Sequence, residues 1–104
     1  MDAQMKKGLL EACVLVALEE GESYGYKIIE DIRGVVEISE STLYPILKRL
    51  ESAGHLTVQD RAHNGRLRKY YNITGAGHTR LDTLRENLRA MENIHKYILG
   101  GENE

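Results

Sequence analysis

The sequence predicts a mainly α-helical domain with one small β-hairpin, organised as a winged helix-turn-helix followed by a C-terminal dimerisation helix. Apolar residues recur with a helical period up to residue 54, with a period of two between residues 55 and 74, and with a helical period again up to residue 98. The 104 residues are 41% hydrophobic and include neither Trp nor Phe, which suits one domain with an aliphatic core.

The first two predicted helices are separated by Gly21. The first covers residues 4–20, and the second follows Ser23 as its N-cap and ends before Gly34. Their apolar residues recur at helical spacing: Leu9, Leu10, Cys13, Val14, Ala17 and Leu18, then Tyr24, Ile28, Ile29 and Ile32. Because Cys13 is the single cysteine and lies in this apolar stripe, we interpret it as a buried structural thiol.

The third helix, which ends at Gly54, has two different faces. Its N-cap is Ser39 or Ser41, and Pro45 lies near the first turn, where a missing amide costs at most about one helical bond. The inward stripe consists of Leu43, Ile46, Leu47 and Leu50, and the outward face carries Ser41, Tyr44, Pro45, Lys48 and Ser52.

The hairpin is predicted from two alternating segments, residues 55–61 and 66–74. The residues AHNG connect them, and Asn64-Gly65 is a strong signal for a tight turn between antiparallel strands. In the second strand one face carries Leu67, Lys69, Tyr71 and Ile73, and the other carries Arg66, Arg68, Tyr70 and Asn72. We expect Tyr70 and Tyr71 to pack rather than to contact a ligand.

The last helix is predicted over residues 75–98 with Thr74 as its N-cap, and residues 99–104 are expected to form a disordered tail. Its seam follows heptad spacing: Leu81, Leu84, Leu88, Met91, His95 and Ile98. Since so small a body offers no internal partner for this seam, we expect it to pair with a second copy of the chain.

The net charge of −2 conceals a basic middle third. Residues 41–71 contain six basic and two acidic side chains, whereas residues 1–40 contain four basic and nine acidic ones. A polyanion responds to the local field rather than to the total charge, so this segment is a candidate for binding nucleic acid.

Two parts of the basic segment are candidates for DNA contact. In a helix-turn-helix the third helix enters the major groove, and a wing lies along the backbone with its tip near the minor groove. The candidates are Ser41, Thr42, Tyr44, Lys48 and Arg49 on the helix, and His63, Asn64, Arg66, Arg68 and Lys69 on the wing. The alternative is a solvated face, with Tyr44 folded onto a neighbouring loop.

Other classes of function lack support in the sequence. His55, His63, His78 and His95 do not have metal-ligand spacing, and no catalytic triad, phosphate-binding loop or carboxylate pair stands out. We therefore expect no cofactor, no metal and no enzymatic activity. The absence of a long apolar run and of a secretory signal predicts a cytoplasmic protein without a membrane span.

Three stretches resemble the PadR family of bacterial transcriptional regulators, in its short, single-domain branch: ESYGYKIIEDI (22–32), STLYPILKRLESAGHLT (41–57) and GRLRKYYNITGAGH (65–78). The resemblance covers roughly residues 5–98. It implies a DNA-binding domain over residues 1–74 and a dimer built by the 75–98 helix with the N-terminal helix, here through Leu10 and Val14.

The resemblance further implies a homodimer that binds a pseudo-palindromic operator on double-stranded DNA and usually represses transcription. Many family members are released by a small aromatic or amphipathic effector, although the last helix of this chain has no Trp or Phe to stack a planar ligand. We predict a dimeric operator-binding repressor. The alternatives are a winged-helix module that docks to another protein and, less well supported, an enzyme or metal protein.

Overall fold

The computed structural model describes residues 3–100. Its elements, in chain order, are α1 (Ala3–Ala17), α2 (Gly25–Ile32), α3 (Glu40–Ser52), β1 (Leu56–His63), β2 (Arg66–Ile73) and α4 (Gly75–Leu99). This order confirms the predicted fold class, three helices followed by a hairpin and a long final helix. The first helix is shorter than the predicted 4–20, because residues 18–20 form a turn after Ala17.

One aliphatic core joins α1, α2, α3, the base of the hairpin and the first part of α4. Leu10, Val14 and Leu81 belong to this core and are 6%, 0% and 1% exposed. This corrects the expectation that these three side chains face a second copy. Helical spacing alone could not separate core from interface, because the same stripe that begins in the core at Leu81 continues outward along α4.

The start of α2 differs from the prediction. Ser23 does not cap the helix; Tyr24 occupies the N-cap position and makes no side-chain capping bond. Ser23 is instead extended and exchanges two backbone hydrogen bonds with Tyr71, at 3.1 and 2.8 Å, which form an isolated β-bridge beside β2. The capping signal was overridden because pairing satisfies both backbone groups of Ser23 at a buried position.

The structure selects Ser39 as the N-cap of α3, where its hydroxyl accepts a hydrogen bond from the amide of Thr42 at 3.3 Å. Pro45 is the sixth residue of the helix, so it removes the single amide that would bond to the carbonyl of Ser41. The predicted inward stripe is confirmed, because all four of its residues are at most 4% exposed: Leu43, Ile46, Leu47 and Leu50.

The hairpin turn is confirmed at Asn64-Gly65, where both residues have positive φ (51° and 80°), as a two-residue turn matched to strand twist requires. β1 extends further towards the tip than predicted, since Ala62 pairs with Leu67 and His63 with Arg66, whereas β2 begins at Arg66 as predicted. His63 therefore ends β1 instead of lying in the loop. The alternation of the two faces of β2 agrees with the prediction.

The helix α4 begins at the predicted cap, where the Thr74 hydroxyl accepts from the Gly77 amide at 3.0 Å. It continues to Leu99, one residue beyond the prediction, and Gly100 closes it in the left-handed conformation. This corrects the start of the predicted tail, whose residues 101–104 lie outside the described part of the chain. Within residues 3–100 no helix combines the length and apolar character needed to cross a bilayer.

Two ion pairs join α4 to α1 and to the turn that follows α1. Arg80 bonds to Glu11 at 2.9 Å, and Arg85 makes a bidentate contact with Glu19 at 2.8 and 2.9 Å. The hydrogen bond from Arg85 lowers the pKa of the Glu19 carboxyl. Beyond Arg85 the helix leaves the body of the domain: residues 86–98 are all exposed, and the longest dimension of the molecule is 56 Å.

The packing of α4 on the hairpin base predicts that alanine substitutions at two glycines of α4 will change the free energy of unfolding by different amounts. A Cβ at Gly77 would overlap the His55 carbonyl oxygen and lie 2.7 Å from Cγ1 of Ile73, whereas Gly75 has open space. Gly77→Ala is therefore expected to lower the free energy of unfolding by about 1–3 kcal/mol in urea denaturation. Gly75→Ala, the control, should be neutral or stabilising; equal stability of the two variants would contradict this packing.

Candidate nucleic-acid interface

The outward face of α3 combines hydroxyl groups with a cation. Ser41, Thr42, Tyr44 and Lys48 are all exposed. The hydroxyls of Ser41 and Thr42 lie 2.8 and 3.3 Å from that of Ser39, so the N-terminus of α3 ends in a cluster of groups able to donate or accept hydrogen bonds. Such a cluster suits phosphate oxygens and base edges.

Arg49 is placed differently from the other predicted contact residues of α3. It is half-buried, and its guanidinium donates to the backbone carbonyl of Pro45 at 3.4 Å, along its own helix. Its contact with DNA stays a prediction, which would require this side chain to turn away from Pro45.

The side chain of Tyr44 on α3 packs against the first residue of α2. Its side chain is 42% exposed, and its hydroxyl is so close to Gly25 that a Cβ there would lie only 2.7 Å from the oxygen. The ring thus contacts a neighbouring element, as in the solvated-face alternative, but a large part of it stays exposed. Gly25 permits this approach, and the exposed part of the ring faces the cleft described next.

A cleft of about 590 Å³ separates α3 from the wing, that is, from the hairpin β1–β2. Tyr44 and Lys48 line it on the helix side, Lys69 and Leu67 on the wing side, with Tyr71 also contributing. Glu40 and Glu51 also border the cleft, so its field is less positive than the count of nearby cations suggests.

Tyr71 is the most strongly perturbed ionisable group of this cleft. It is 4% exposed, and burial raises the pKa of its phenol to about 12, assisted by the charges of Tyr44, Glu51 and Asp60. The expectation that Tyr71 packs is confirmed. Its position under the cleft joins the wing to the core.

The predicted wing cations differ in how they are held. Arg66, His63 and Asn64 are exposed at the tip, with the Asn64 amide 3.3 Å from the ring nitrogen of His63. Lys69 forms an ion pair with Asp60 on the opposite strand at 3.3 Å. Among residues 3–100, Lys48 and Arg66 have no ion-pair partner; Lys48 lines the cleft from α3, whereas Arg66 lies near the wing tip on the face of β2 opposite to Leu67 and Lys69.

Arg68 is not a free surface cation. It is half-buried, its guanidinium lies 3.6 Å from the ring centroid of Tyr24, and its Nε donates to the Tyr70 hydroxyl at 2.9 Å. Helical spacing places Tyr24 only on the apolar side of α2, and no sequence pattern singles out Glu22 or Arg61. The strand register that follows from the Asn64-Gly65 turn predicts that Arg61 lies opposite Arg68. No local sequence signal predicts the bridge between Ser23 and Tyr71, which brings Tyr24 beside these two arginines.

The seam of α4 divides into a covered and an uncovered part. Leu84 is half-buried against the core, whereas Leu88, Met91 and Ile98 are 43%, 45% and 73% exposed. His95 is exposed too. An apolar groove of about 1130 Å³ runs between α1, α2 and α4, and Cys13, Val16 and Leu88 line it. Cys13 is only half-buried, so the prediction of a buried thiol is met in part; this partial burial raises the pKa of its thiol.

Within residues 3–100, no three His, Cys, Asp or Glu side chains are grouped so that they could hold a metal ion. Lys48 in the cleft, Arg66 near the wing tip and the hydroxyls of α3 are groups that bind phosphate and base edges. The arrangement offers recognition chemistry for a polyanion.

Comparison with known proteins agrees with this arrangement. Residues 14–83 match the transcriptional regulator PadR-like family. Transcriptional regulator Rv3488 from Mycobacterium tuberculosis (strain ATCC 25618 / H37Rv) is 31% identical over 100 residues, which cover 95% of this chain and 91% of that protein.

Two solved structures extend the comparison. A PadR-like transcriptional regulator (BC4206) from Bacillus cereus strain ATCC 14579 superimposes with a TM-score of 0.78 at 31% identity, over 96% of this chain and all of the other. Bacillus subtilis PadR in complex with operator DNA gives a TM-score of 0.68 at 26% identity, over 72% of this chain and 45% of that one.

The buried phenol of Tyr71 predicts a loss of stability at high pH. An unfolded tyrosine ionises near pH 10.0 and folded Tyr71 near pH 12, so between these values the folded state retains a proton that the unfolded chain has lost. The contribution is complete below pH 10 and falls by up to about 1.4 kcal/mol per pH unit above it.

Denaturation at several pH values measures this effect. Tyr71→Phe is expected to flatten the decrease in the free energy of unfolding between pH 10 and 12. Tyr97→Phe, which alters an 88% exposed side chain, is the matched control and should keep the wild-type slope. Identical slopes for wild type and Tyr71→Phe would contradict the assignment.

Proposed function

The chain belongs to the transcriptional regulator PadR-like family, and we propose that it binds a pseudo-palindromic operator as a homodimer and represses transcription. The family consists of regulators and not of enzymes, which agrees with the expectation of no enzymatic activity. A regulator of this kind acts on the bacterial chromosome, so the proposal includes a cytoplasmic location.

One observation carries the DNA-binding part of the proposal: Lys48, which lines the cleft on α3, and Arg66, near the tip of the wing, have no ion-pair partner among the described residues, and the hydroxyls of Ser41 and Thr42 on α3 are exposed. A cation without a partner gains most from a phosphate, because no existing ion pair must be broken. Lys69 would have to release Asp60 first, so its share is smaller.

The likeness to Bacillus subtilis PadR, which was solved with operator DNA, supports binding to operator DNA. We propose that α3 enters the major groove through its N-terminal part, where Ser41, Thr42 and Tyr44 reach base edges and sugars. The wing then follows the backbone, with Arg66 on a phosphate and the Asn64 tip near the minor groove.

The dimer part of the proposal is supported by the uncovered half of α4. The helix has 25 residues, or about 37 Å of length, and its second half carries Leu88, Met91, Ile94 and Ile98 into solvent. An apolar stripe of this kind next to an apolar groove is typical of a surface that another subunit covers. We propose that the second copy supplies the same helix, related by a twofold axis.

Dimerisation also explains recognition of paired half-sites. Two copies of α3 related by a twofold axis read two half-sites about 34 Å, or one helical turn, apart. A dimer seated across a promoter blocks access to it, which makes repression the simplest consequence of binding. We propose that a small aromatic or amphipathic effector would act from the apolar groove between α1, α2 and α4.

The DNA-binding proposal predicts a charge effect that can be measured by fluorescence anisotropy. The probe is the DNA upstream of the protein's own gene, titrated at several salt concentrations. Lys48→Ala and Arg66→Ala should each weaken binding and reduce the slope of log K against log salt by about 0.9. Arg33→Ala, which alters a cation paired with Glu30 at the end of α2, should retain both values.

If the wild-type protein shows no specific complex at moderate salt with this DNA or with sequences selected from a random library, a docking module becomes the better description. Unchanged slopes for both variants would show that the cleft is not the DNA-binding surface.

The dimer proposal predicts that Met91→Asp produces monomers in sedimentation velocity, because the new carboxylate would have to be buried in an apolar seam. Met91 is chosen over Leu84 because Leu84 packs against its own core. Asn93→Asp is the control: it adds the same charge on the opposite side of α4 and should leave the dimer intact. A dimeric Met91→Asp variant would exclude this seam.

A further inference from the structure

On the outer face of the hairpin, two arginines stand directly opposite each other. Arg61 on β1 pairs with Arg68 on β2, so both side chains project from the same face. Like charges at such positions repel and destabilise a hairpin. Each arginine must therefore be offset by other groups, and the structure provides them.

The groups that offset them come from both the hairpin and the segment before α2. The Arg61 guanidinium lies 3.9 Å from the ring centroid of Tyr70 and forms an ion pair with Glu22. The Arg68 guanidinium lies 3.6 Å from the centroid of Tyr24 and donates to the Tyr70 hydroxyl. The two rings meet edge to face, with centroids 5.8 Å apart.

These five residues, Glu22, Tyr24, Arg61, Arg68 and Tyr70, form a continuous arginine–tyrosine ladder. Glu22 and Tyr24 flank Ser23, whose backbone pairs with Tyr71, so their side chains emerge on the same face as Tyr70 and Arg68. Asn72 also donates to Glu22 at 3.2 Å, which ties the acid to both strands. The ladder thus connects the helix-turn-helix to the middle of the wing.

The remainder of the wing has little other support. On its inner face Leu56 and Tyr71 are buried near the base, but Leu67 near the tip is 75% exposed. Within residues 3–100, no hydrogen bond or ion pair ties the hairpin beyond Arg68 to another element. The ladder is therefore the outermost attachment of the wing to the body, and Arg66 lies about 7 Å further out.

We propose that Glu22 and Tyr24 are positioning residues that hold the wing in its DNA-binding orientation through Arg61 and Arg68. In this proposal Arg68 is a structural residue that supports the wing, and it does not bind a phosphate. The wing orientation decides whether Arg66 reaches the backbone while α3 lies in the major groove. The effect of the ladder on DNA binding rests on the proposed function, but its role in holding the wing against the body does not.

Hydrogen exchange measured by mass spectrometry tests the ladder without DNA. In Tyr24→Leu and in Arg68→Met, peptides covering residues 59–70 should exchange about fivefold faster, as expected for loss of a cation–π contact of ordinary strength. Tyr24→Phe keeps the ring face and should restore wild-type exchange. Tyr26→Leu, at a 62% exposed tyrosine of the same helix, should leave the wing unaffected.

Operator affinity distinguishes a structural role of Arg68 from direct binding of Arg68 to a phosphate. Tyr24→Leu removes no charge, yet it should weaken binding about fivefold; Arg68→Met should do the same, and the double variant should be no weaker than either single one. Tyr24→Phe should bind like wild type. If Arg68 instead contacts phosphate, Tyr24→Leu will bind normally and only Arg68→Met will weaken the complex.

The outcomes keep the two proposals distinct. Faster wing exchange in Tyr24→Leu, reversed in Tyr24→Phe, supports the ladder even if the wild-type protein binds no operator, a result that would overturn only the proposed function. Unchanged wing exchange in a folded Tyr24→Leu variant overturns the ladder, whatever happens to DNA binding.

Discussion

The burial of one stripe of α3 is the constraint on which the rest of the structure depends. Leu43, Ile46, Leu47 and Leu50 are held in an aliphatic core, and the helical period then leaves the other side of the helix in solvent. The hydroxyls and Lys48 are exposed for this reason alone. A slip of the stripe by one residue would rotate the whole outward face by about 100°.

The hairpin adds a second surface at a defined distance from that helix. Its base is held by Tyr71 and Leu56 within the core and its middle by the ladder on the outer face, while α4 passes so close to the base at Gly77 that no side chain fits. Most wing cations are engaged within the protein: Lys69 with Asp60, Arg61 with Glu22, Arg68 between two rings. Among the candidate contact residues within 3–100, Lys48 and Arg66 are the cations held by no ion pair, aromatic ring or backbone carbonyl.

Patterns that are local in the chain could be predicted from the sequence. The inward stripe of α3 follows from a 3.6-residue period, and the turn at Asn64-Gly65 follows from the positive φ that these residues tolerate. Contacts between distant segments could not. Ser23 has the chemistry of a cap but pairs with Tyr71, 48 positions later, and Tyr24 reads as an apolar helix residue but stacks on Arg68. Leu81 likewise shares its spacing with Leu88, although one is buried and the other exposed.

The central claim is that two copies of α3, each with its wing, bind one DNA duplex at related half-sites. Hydroxyl-radical footprinting on sequences selected from a random DNA library tests it most directly, because it maps backbone protection at single-nucleotide resolution. The account predicts two symmetric protected tracts with their centres about 10 base pairs apart, and flanking protection from the wings. A single unsymmetric tract, or no protected tract on any selected sequence, would contradict it.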